Sequence, residues 1–441
     1  MNFLEIKRAE DIDAMLNTFA PHPLNANLPE SFYYGQTMTI RTGDEWDSPL
    51  INLFMACSTP SSANAHLLLG HRGCGKSTEL YKLKQKFEES GQPVKIVDTI
   101  GDANLGELDH WDIMLLITES LCHIADTKNI SLPEHTVNAI FDYLIKDKEE
   151  ITQSEFSDST GISAGARAAT PPILSSVIKL FAEIKYDRKS SEFARVTVTK
   201  RMERRASEWF AYIKEISDLI ASGCDNRQPV IIFEDLDKSP NPEKTIDVFQ
   251  YSILAQMPFP IIYTFPISQF YSHRFASIRD LYTHHILPMI KVSNVDGSKN
   301  LEGINVMHEI VSLRARLELF DDDILDNLIV QTGGSLRDLF VCIIMAARRA
   351  SRRGVTRIEL EDAERALSEL TYELTARIDQ GDYGELAKIY NNPKIKRQIP
   401  EGDFLLRMMH SLAVLEYRNG DRWHDLHPLV AKFLLDQGVL K

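Results

Sequence analysis

The sequence predicts an α/β fold in which helices cover both faces of a parallel sheet. Three observations support this prediction: a glycine-rich motif at residues 70–77, continuous apolar runs that alternate with helical patterns, and a purely helical pattern after about residue 300. Strands buried on both faces are continuous apolar runs, and their alternation with helices is typical of parallel sheets. We therefore expect an α/β domain, then a helical domain and a small terminal domain.

The glycine-rich motif fits the pattern G-x-x-x-x-G-K-[ST] without a mismatch. It comprises Gly70, His71, Arg72, Gly73, Cys74, Gly75, Lys76 and Ser77, and Thr78 follows it. An apolar run precedes the motif, and apolar residues at helical spacing follow it. In such phosphate-binding loops (P-loops), backbone N–H groups and the next helix hold nucleotide phosphates, the lysine contacts the β- and γ-phosphates, and the serine holds Mg²⁺.

The other elements extend this pattern along the chain. Residues 1–47 are a lead-in with a short helix at 11–19, and residues 48–298 form the α/β domain. Within that domain we expect the following elements: helices at 49–57, 77–89, 111–125, 136–146 and 198–222, and strands at 66–69, 94–98, 229–233 and 258–265. Residues 151–172, rich in Ser, Thr, Gly and Ala, have little to bury and predict a flexible insertion.

The last part of the chain predicts two further domains. Four helices form an α-helical domain over residues 299–378: they are expected at 301–319, 324–331, 335–353 and 359–376. Residues 379–441 predict a helix, a β-hairpin at Asn419-Gly420 and a last helix, at 404–413, 415–423 and 429–437. Asn-Gly is the strongest two-residue hairpin signal, and a helix followed by a tight hairpin is typical of a winged-helix domain.

Composition limits the function classes. The chain has 441 residues and a net charge of −14, so the whole molecule would repel a nucleic-acid backbone. No apolar run approaches ~18 residues and the start lacks a signal peptide, so we expect no membrane contact. The five cysteines are scattered without a C-x-x-C pair, which favours reduced thiols and a cytoplasmic location and disfavours a zinc site.

Acidic and polar residues end two of the predicted strands. Glu234 and Asp235 follow the apolar run at 229–233, at the strand end where doubly wound sheets place ligands. One carboxylate would hold Mg²⁺ together with Ser77, and the other would orient or deprotonate the attacking water. Thr264, near the end of the next strand, is either a contact to the γ-phosphate or an ordinary strand residue.

An arginine occupies the first turn of a predicted helix. Ser335 and Asp338 form an N-terminal capping pattern, and Arg337 lies between them. A cation is disfavoured there by the helix dipole, so a nearby anion would make the position favourable. That anion is either an acid of the protein, such as Asp338, or a phosphate.

These motifs resemble the AAA+ and STAND side of the P-loop ATPases. GHRGCGKS, IIFEDLDK, the strand of Thr264 and GGSLRD, with a helical domain and a terminal winged helix, are similar to origin-recognition-type AAA+ initiators and to uncharacterised bacterial ATPases found among stress and defence genes. The resemblance covers the chain from about residue 48 onward. It implies ATP and Mg²⁺ as ligands, Arg337 as a sensor-2 arginine in a helical lid, and Arg274 or Arg279 as an arginine finger supplied by a neighbouring subunit.

The acids depart from the pattern of that family. Initiators usually present Asp-Glu at the strand end, whereas this chain has Glu234 followed by Asp235. Either Glu234 holds the metal and Asp235 acts as the base, or the register shifts by one. An aspartate base is one methylene shorter, so we expect slow, switch-like turnover.

A cluster of arginines offers a candidate partner surface. Five lie within ten residues: Arg348, Arg349, Arg352, Arg353 and Arg357. Four of them end the helix of Arg337, where cations suit the dipole without any partner. The alternative is a surface for nucleic acid or an acidic partner, a role that the winged helix could also fill.

The sequence thus predicts a Mg²⁺-dependent ATPase that works as a molecular switch. Nucleotide state would control oligomerisation and the activation or loading of a separately encoded effector, in a bacterial regulatory or anti-phage defence system. The effector is expected to be another protein because the sequence has no second catalytic motif. The alternative is a DNA-associated AAA+ ATPase, an initiator or a transposition-type loader. A small-molecule kinase is disfavoured by the helical lid and the winged helix.

Overall fold

The computed structural model describes residues 6–20, 29–44, 46–59, 64–99, 108–145, 178, 203–397 and 402–440. At its centre is a five-stranded parallel sheet in the order β2-β3-β4-β1-β5. The strands are β1 (Ala65–Gly70), β2 (Val94–Asp98), β3 (Val230–Glu234), β4 (Ile261–Pro266) and β5 (Thr283–Ile286). The predicted parallel sheet is confirmed. Strand β5 was not predicted, because its sequence THHI is polar and half-exposed at the edge of the sheet.

The sheet brings the P-loop and the acids to one edge. Strands β1, β3 and β4 are buried along their whole length, as their apolar runs predict. Because the strands are parallel, their carboxyl ends meet on the same side, where the P-loop follows β1 and Glu234 ends β3. Asp98, the last residue of β2, lies opposite Glu234 in the register.

Helices flank this sheet and precede it in the chain. In order they are α1 (Ile12–Thr18), α2 (Met38–Thr42), α3 (Pro49–Ser58), α4 (Lys76–Glu89), α5 (His110–Thr127), α6 (Glu134–Ile145), α7 (Ala206–Gly223), α8 (Pro242–Phe249), α9 (Ser252–Ala255), α10 (Ile267–Phe270) and α11 (Ala276–Arg279). Helix α5 packs on α7, where the Trp209 indole donates to Thr118 Oγ1 at 3.0 Å. The predicted insertion at 151–172 and the start of the helix predicted at 198–222 lie outside the described residues.

Four helices form the predicted lid: α12 (Leu301–Ser312), α13 (Ile324–Gln331), α14 (Leu336–Arg353) and α15 (Leu360–Thr375). The prediction of one helix over 301–319 is wrong beyond Ser312, because the chain leaves the helix to pair Ala315 with Ala9. The N-terminal segment therefore packs on the lid. Helix α1 lies against α14, where the rings of Phe19 and Phe340 meet edge to face.

The terminal domain has the predicted order of helix, hairpin and helix. Its elements are α16 (Tyr383–Asn391), α17 (Pro393–Lys396), α18 (Gly402–His410), the antiparallel strands β6 (Val414–Asn419) and β7 (Asp421–Leu426), and α19 (Pro428–Asp436). The chain reverses at Gly420, which has a left-handed φ of 73°. The predicted helix 404–413 stops at His410, and Leu412 then takes a positive φ of 67° before the hairpin. No helix in the described part of the chain is long and apolar enough to cross a membrane.

Candidate nucleotide-binding site

A cavity of about 790 Å³ opens at the carboxyl edge of the sheet. This volume is within the usual range for pockets that bind small molecules. The predicted site residues that line it are Arg72, Gly73, Gly75, Lys76, Ser77, Thr78, Glu234, Asp235, Thr264 and Arg337. The structure thus brings the P-loop, the strand-end acids and the lid arginine around one space. Gly70, His71 and Cys74 belong to the same loop but do not line the cavity.

The P-loop has the backbone that its glycines predict. Gly73 and Gly75 have φ values of 86° and 102°, in the left-handed region that favours glycine. A β-carbon on Gly73 would lie 2.6 Å from Ser335 Oγ, so glycine also permits close approach of the lid. Helix α4 begins directly at Lys76 and directs its N-terminal end at the cavity.

Two other domains contact the P-loop directly. From the lid, the backbone N–H of Leu336 donates to Gly73 O at 3.1 Å. From the terminal domain, the backbone N–H of Glu416 in β6 donates to His71 Nε2 at 2.8 Å. Burial lowers the pKa of His71 to about 4, so this ring is neutral at physiological pH and can accept that bond.

Lys76 is held by an acid that sequence analysis missed. Its Nζ forms an ion pair with Asp237 Oδ2 at 3.0 Å and donates to Gly70 O at 2.7 Å. Both charged side chains are buried. Burial alone would raise the pKa of Asp237, but Lys76 and the nearby cations hold it below its usual value. Asp237 stands two residues beyond Asp235 in the motif EDLDK, and that spacing was the available signal.

The two strand-end acids occupy different environments. Glu234 is buried and lines the cavity together with Ser77. Burial raises the pKa of Glu234 to about 7, and the Ser77 hydroxyl opposes that shift. Asp235 is ion-paired with Lys238, and its backbone has a left-handed φ of 70°, which aspartate tolerates better than most residues. Burial also raises the pKa of Asp235.

These oxygen donors fit a magnesium ion. The Ser77 hydroxyl and the carboxylates of Glu234 and Asp235 all belong to residues that line the cavity. Among the described residues, no group of three or more His, Cys, Asp and Glu side chains could hold a metal ion. Mg²⁺ usually binds through one or two carboxylates with water and substrate phosphates, so the donor set suits Mg²⁺ brought with a nucleotide. Bound there, the ion would neutralise phosphate charge.

The other predicted residues divide into two groups. Thr264 lines the cavity, and its Oγ1 accepts the backbone N–H of Leu236 at 3.0 Å, so it also fixes the turn after β3. Arg337 lines the cavity from the first turn of α14. Arg274 and Arg279 do not line it: Arg274 is ion-paired with Asp247, and Arg279 lies over the ring of Phe270.

The N-terminal segment, to which the sequence assigned no role, also lines the cavity. Phe32, Tyr33 and Tyr34 line it together with Arg314, which follows α12 of the lid. Arg314 is 5% exposed, and its guanidinium lies over the rings of Phe32 and Phe340. Aromatic side chains suit the base of a nucleotide. The cavity therefore joins a loop suited to phosphates with aromatic side chains suited to a base.

The structure is similar to Walker-type ATPases, origin-recognition proteins among them. The Walker-type ATPase PABY2304 of Pyrococcus abyssi is 12% identical, with a TM-score of 0.42, and the match covers 92% of this chain and 99% of that one. Cdc6p of Pyrobaculum aerophilum is 11% identical at a TM-score of 0.38, covering 96% and 98%. The Aeropyrum pernix ORC1 protein, solved in complex with DNA, is 12% identical at 0.39, covering 93% and 96%.

No protein-family model and no curated protein matches the chain. At these identities and TM-scores, the similar structures carry no inference about what this chain binds or does.

The raised pKa of Glu234 predicts a pH-dependent stability difference in Glu234→Gln. Because the folded-state pKa of about 7 exceeds the ordinary 4.5, protonation favours folding; this contribution is complete below pH 4.5 and is lost as the pH rises through 7. Glutamine does not titrate, so the variant does not lose this stability as the pH rises. Relative to the parent protein, the free energy of unfolding of Glu234→Gln should therefore increase between pH 5 and pH 8, by up to about 3 kcal/mol.

Urea unfolding without nucleotide or Mg²⁺ measures this difference. The exposed lid glutamate Glu364 provides the control variant Glu364→Gln. A difference between Glu234→Gln and the parent that does not change with pH would contradict the prediction.

Proposed function

We propose that this protein is a Mg²⁺-dependent ATPase whose nucleotide state controls the positions of its lid and terminal domain. One observation carries the proposal: the loop that would hold the phosphates is hydrogen-bonded to both of those domains. Gly73 O accepts from the lid, and His71 Nε2 accepts from β6. A change in the loop on nucleotide binding would therefore alter contacts in both domains.

The acids suggest a division of roles. Glu234 lines the cavity together with Ser77 and is placed to hold Mg²⁺ with that hydroxyl. Asp235, which directly follows β3, would orient or deprotonate the attacking water. This is the first of the two alternatives left open by the order Glu-Asp.

Arg337 of the lid is the residue through which nucleotide state would act on the lid. Arg337 reaches the cavity from the same helix turn whose N–H groups contact Gly73. A ligand shifts a conformational equilibrium only by its differential affinity for the two forms. If Arg337 contacts the γ-phosphate, ATP favours the closed lid more than ADP does. The terminal domain would move with the lid, since α19 packs on α15. We propose that this motion controls self-assembly and a separate effector, in a bacterial regulatory or defence system.

A DNA-associated ATPase is the second candidate, and two arginines favour it. Arg348 and Arg352 are exposed one helical turn apart on α14 and have no ion-pair partner among the described residues. The rest of the cluster is paired to acids of the lid: Arg349 to Asp362, Arg353 to Glu359, Glu361 and Asp362, and Arg357 to Asp321. The basic surface available to a phosphate backbone is therefore small.

Substitutions of the two acids separate their roles. Glu234→Gln should weaken Mg²⁺-dependent ATP binding. Asp235→Asn should bind ATP normally but slow single-turnover hydrolysis by about 100-fold or more, the usual contribution of a general base. Asparagine tolerates the left-handed backbone at this position. The opposite pattern would exchange the two roles, and normal hydrolysis by both variants would place the chemistry elsewhere. Lys76→Ala, which lacks the P-loop cation, is the control for lost binding.

Arg337→Ala tests the switch. It should weaken ATP at least about fivefold more than ADP, because only ATP carries the γ-phosphate. ATP-induced compaction or assembly, measured by small-angle X-ray scattering, should be lost with it. Folding should survive, since Ser335 still caps α14. Arg365→Ala, which removes an exposed lid arginine paired with Glu369, is the control. If the affinities for ATP and ADP fall equally, Arg337 contacts phosphates in general and does not distinguish ATP from ADP, and it could not drive the switch.

A DNA titration decides between the two candidates. We expect the ATPase rate to be unchanged by duplex DNA at about 0.15 M salt, where screening is strong beyond ~8 Å. The DNA-associated alternative predicts a rate that rises with DNA, falls steeply with added salt, and loses the response in the double variant Arg348→Glu and Arg352→Glu.

A further inference from the structure

We propose that Arg41, in the N-terminal segment, positions the P-loop for phosphate binding by fixing the peptide between Cys74 and Gly75. The inference rests on the proposed nucleotide-binding function and adds to it a residue outside every predicted motif. Arg41 belongs to α2, 33 residues before Cys74 in the chain. It would act through the loop's backbone, as a positioning residue for the phosphates.

The guanidinium of Arg41 is buried and forms a clamp by donating hydrogen bonds to three groups. Its side chain is 1% exposed. One terminal nitrogen donates to Cys74 O at 2.8 Å, the other donates to Pro288 O, and Nε donates to Thr37 Oγ1 at 3.2 Å. Pro288 follows strand β5, which pairs with β1 beneath the loop. The clamp therefore joins the P-loop to the sheet edge through two carbonyl oxygens.

Planarity of the peptide bond explains why this contact matters. In a trans peptide, C=O and the following N–H point in opposite directions. Holding Cys74 O against Arg41 therefore turns the N–H of Gly75 away from Arg41. Gly75 lines the cavity and has a φ of 102°. Because glycine has no β-carbon, its own backbone preferences do little to fix the orientation of this peptide. Backbone N–H groups of this loop are the donors that cradle phosphates in P-loops.

A buried arginine needs a compensating charge, and this one has it nearby. Burial lowers the pKa of Arg41, and neighbouring acidic groups oppose that shift, among them Glu79 of α4, which is 4% exposed. The hydroxyl of Tyr33 donates to Glu79 Oε2 at 2.9 Å. The clamp is thus made from two parts of the N-terminal segment, Tyr33 and α2, and from the helix that follows the P-loop. Only arginine presents two parallel donors to two carbonyl groups; a lysine ammonium is a single point charge.

The test is Arg41→Lys in the full chain, with ADP, ATP and adenosine as probes. Isothermal titration should give about tenfold weaker binding of both ADP and ATP, while adenosine, which lacks phosphates, keeps its affinity. In steady-state hydrolysis KM should rise with kcat changed less than threefold, because the amide contacts the phosphates in ground and transition states alike.

In Arg41→Ala, added guanidinium ion should restore ADP binding and tetramethylammonium should not. A merely structural role would weaken adenosine and ADP together.

Two further variants keep the outcome decisive. Thr37→Val removes the acceptor of Nε and should weaken ADP about two- to threefold with adenosine unchanged; this variant decides the question if Arg41→Lys fails to fold. Arg407→Lys, an arginine paired with Asp382 in the terminal domain, controls for loss of a guanidinium elsewhere. Unchanged ADP affinity in folded Arg41→Lys, or in Thr37→Val where Arg41→Lys is unfolded, overturns the inference. If Lys76→Ala also binds ADP normally, the proposed nucleotide-binding function is wrong. If Lys76→Ala loses ADP binding while the Arg41 and Thr37 variants keep it, the function stands and only the role of Arg41 is wrong.

Discussion

The close approach of the lid to Gly73 is the contact on which the arrangement of the cavity depends. A β-carbon at this position would meet Ser335 Oγ at 2.6 Å, so any other residue would push α14 away from the P-loop. With glycine there, Leu336 can donate to Gly73 O and Arg337 can enter the cavity. Glycine at 73 is therefore a requirement of the lid as well as of the loop.

Most of the fold was predictable because its signals are local. The apolar runs of β1, β3 and β4 and the Asn-Gly hairpin each reflect a short stretch of chain, and each is confirmed. Errors arose where tertiary contacts decide. Strand β5 is polar in sequence, and its extended conformation comes with its pairing to β1, a contact about 215 residues away along the chain that no local pattern shows. Helix α12 ends early because Ala315 pairs with Ala9, more than 300 residues away.

The site shows the same division. The P-loop, Glu234 and Arg337 are recognisable from spacing and local chemistry, and the structure places them around one cavity. Arg41 and the contact between Glu416 and His71 could not be found that way, since the residues are 33 and 345 positions from their partners. Nothing in the sequence distinguishes a buried arginine that binds a loop from an exposed one.

The ion pair between Lys76 and Asp237 gives the site an internal anion that competes with phosphate. A buried lysine without a partner would be unfavourable by several kcal/mol, and the ion pair with Asp237 offsets part of that cost. A nucleotide that engages Lys76 exchanges one ion pair for another, and Asp237 then relies on other cations such as Arg72, which also acts on it. The net gain on binding is the difference between two pairings. In the proposed ATPase, this exchange of partners would make phosphate binding weaker than it would be at a lysine with no internal anion beside it.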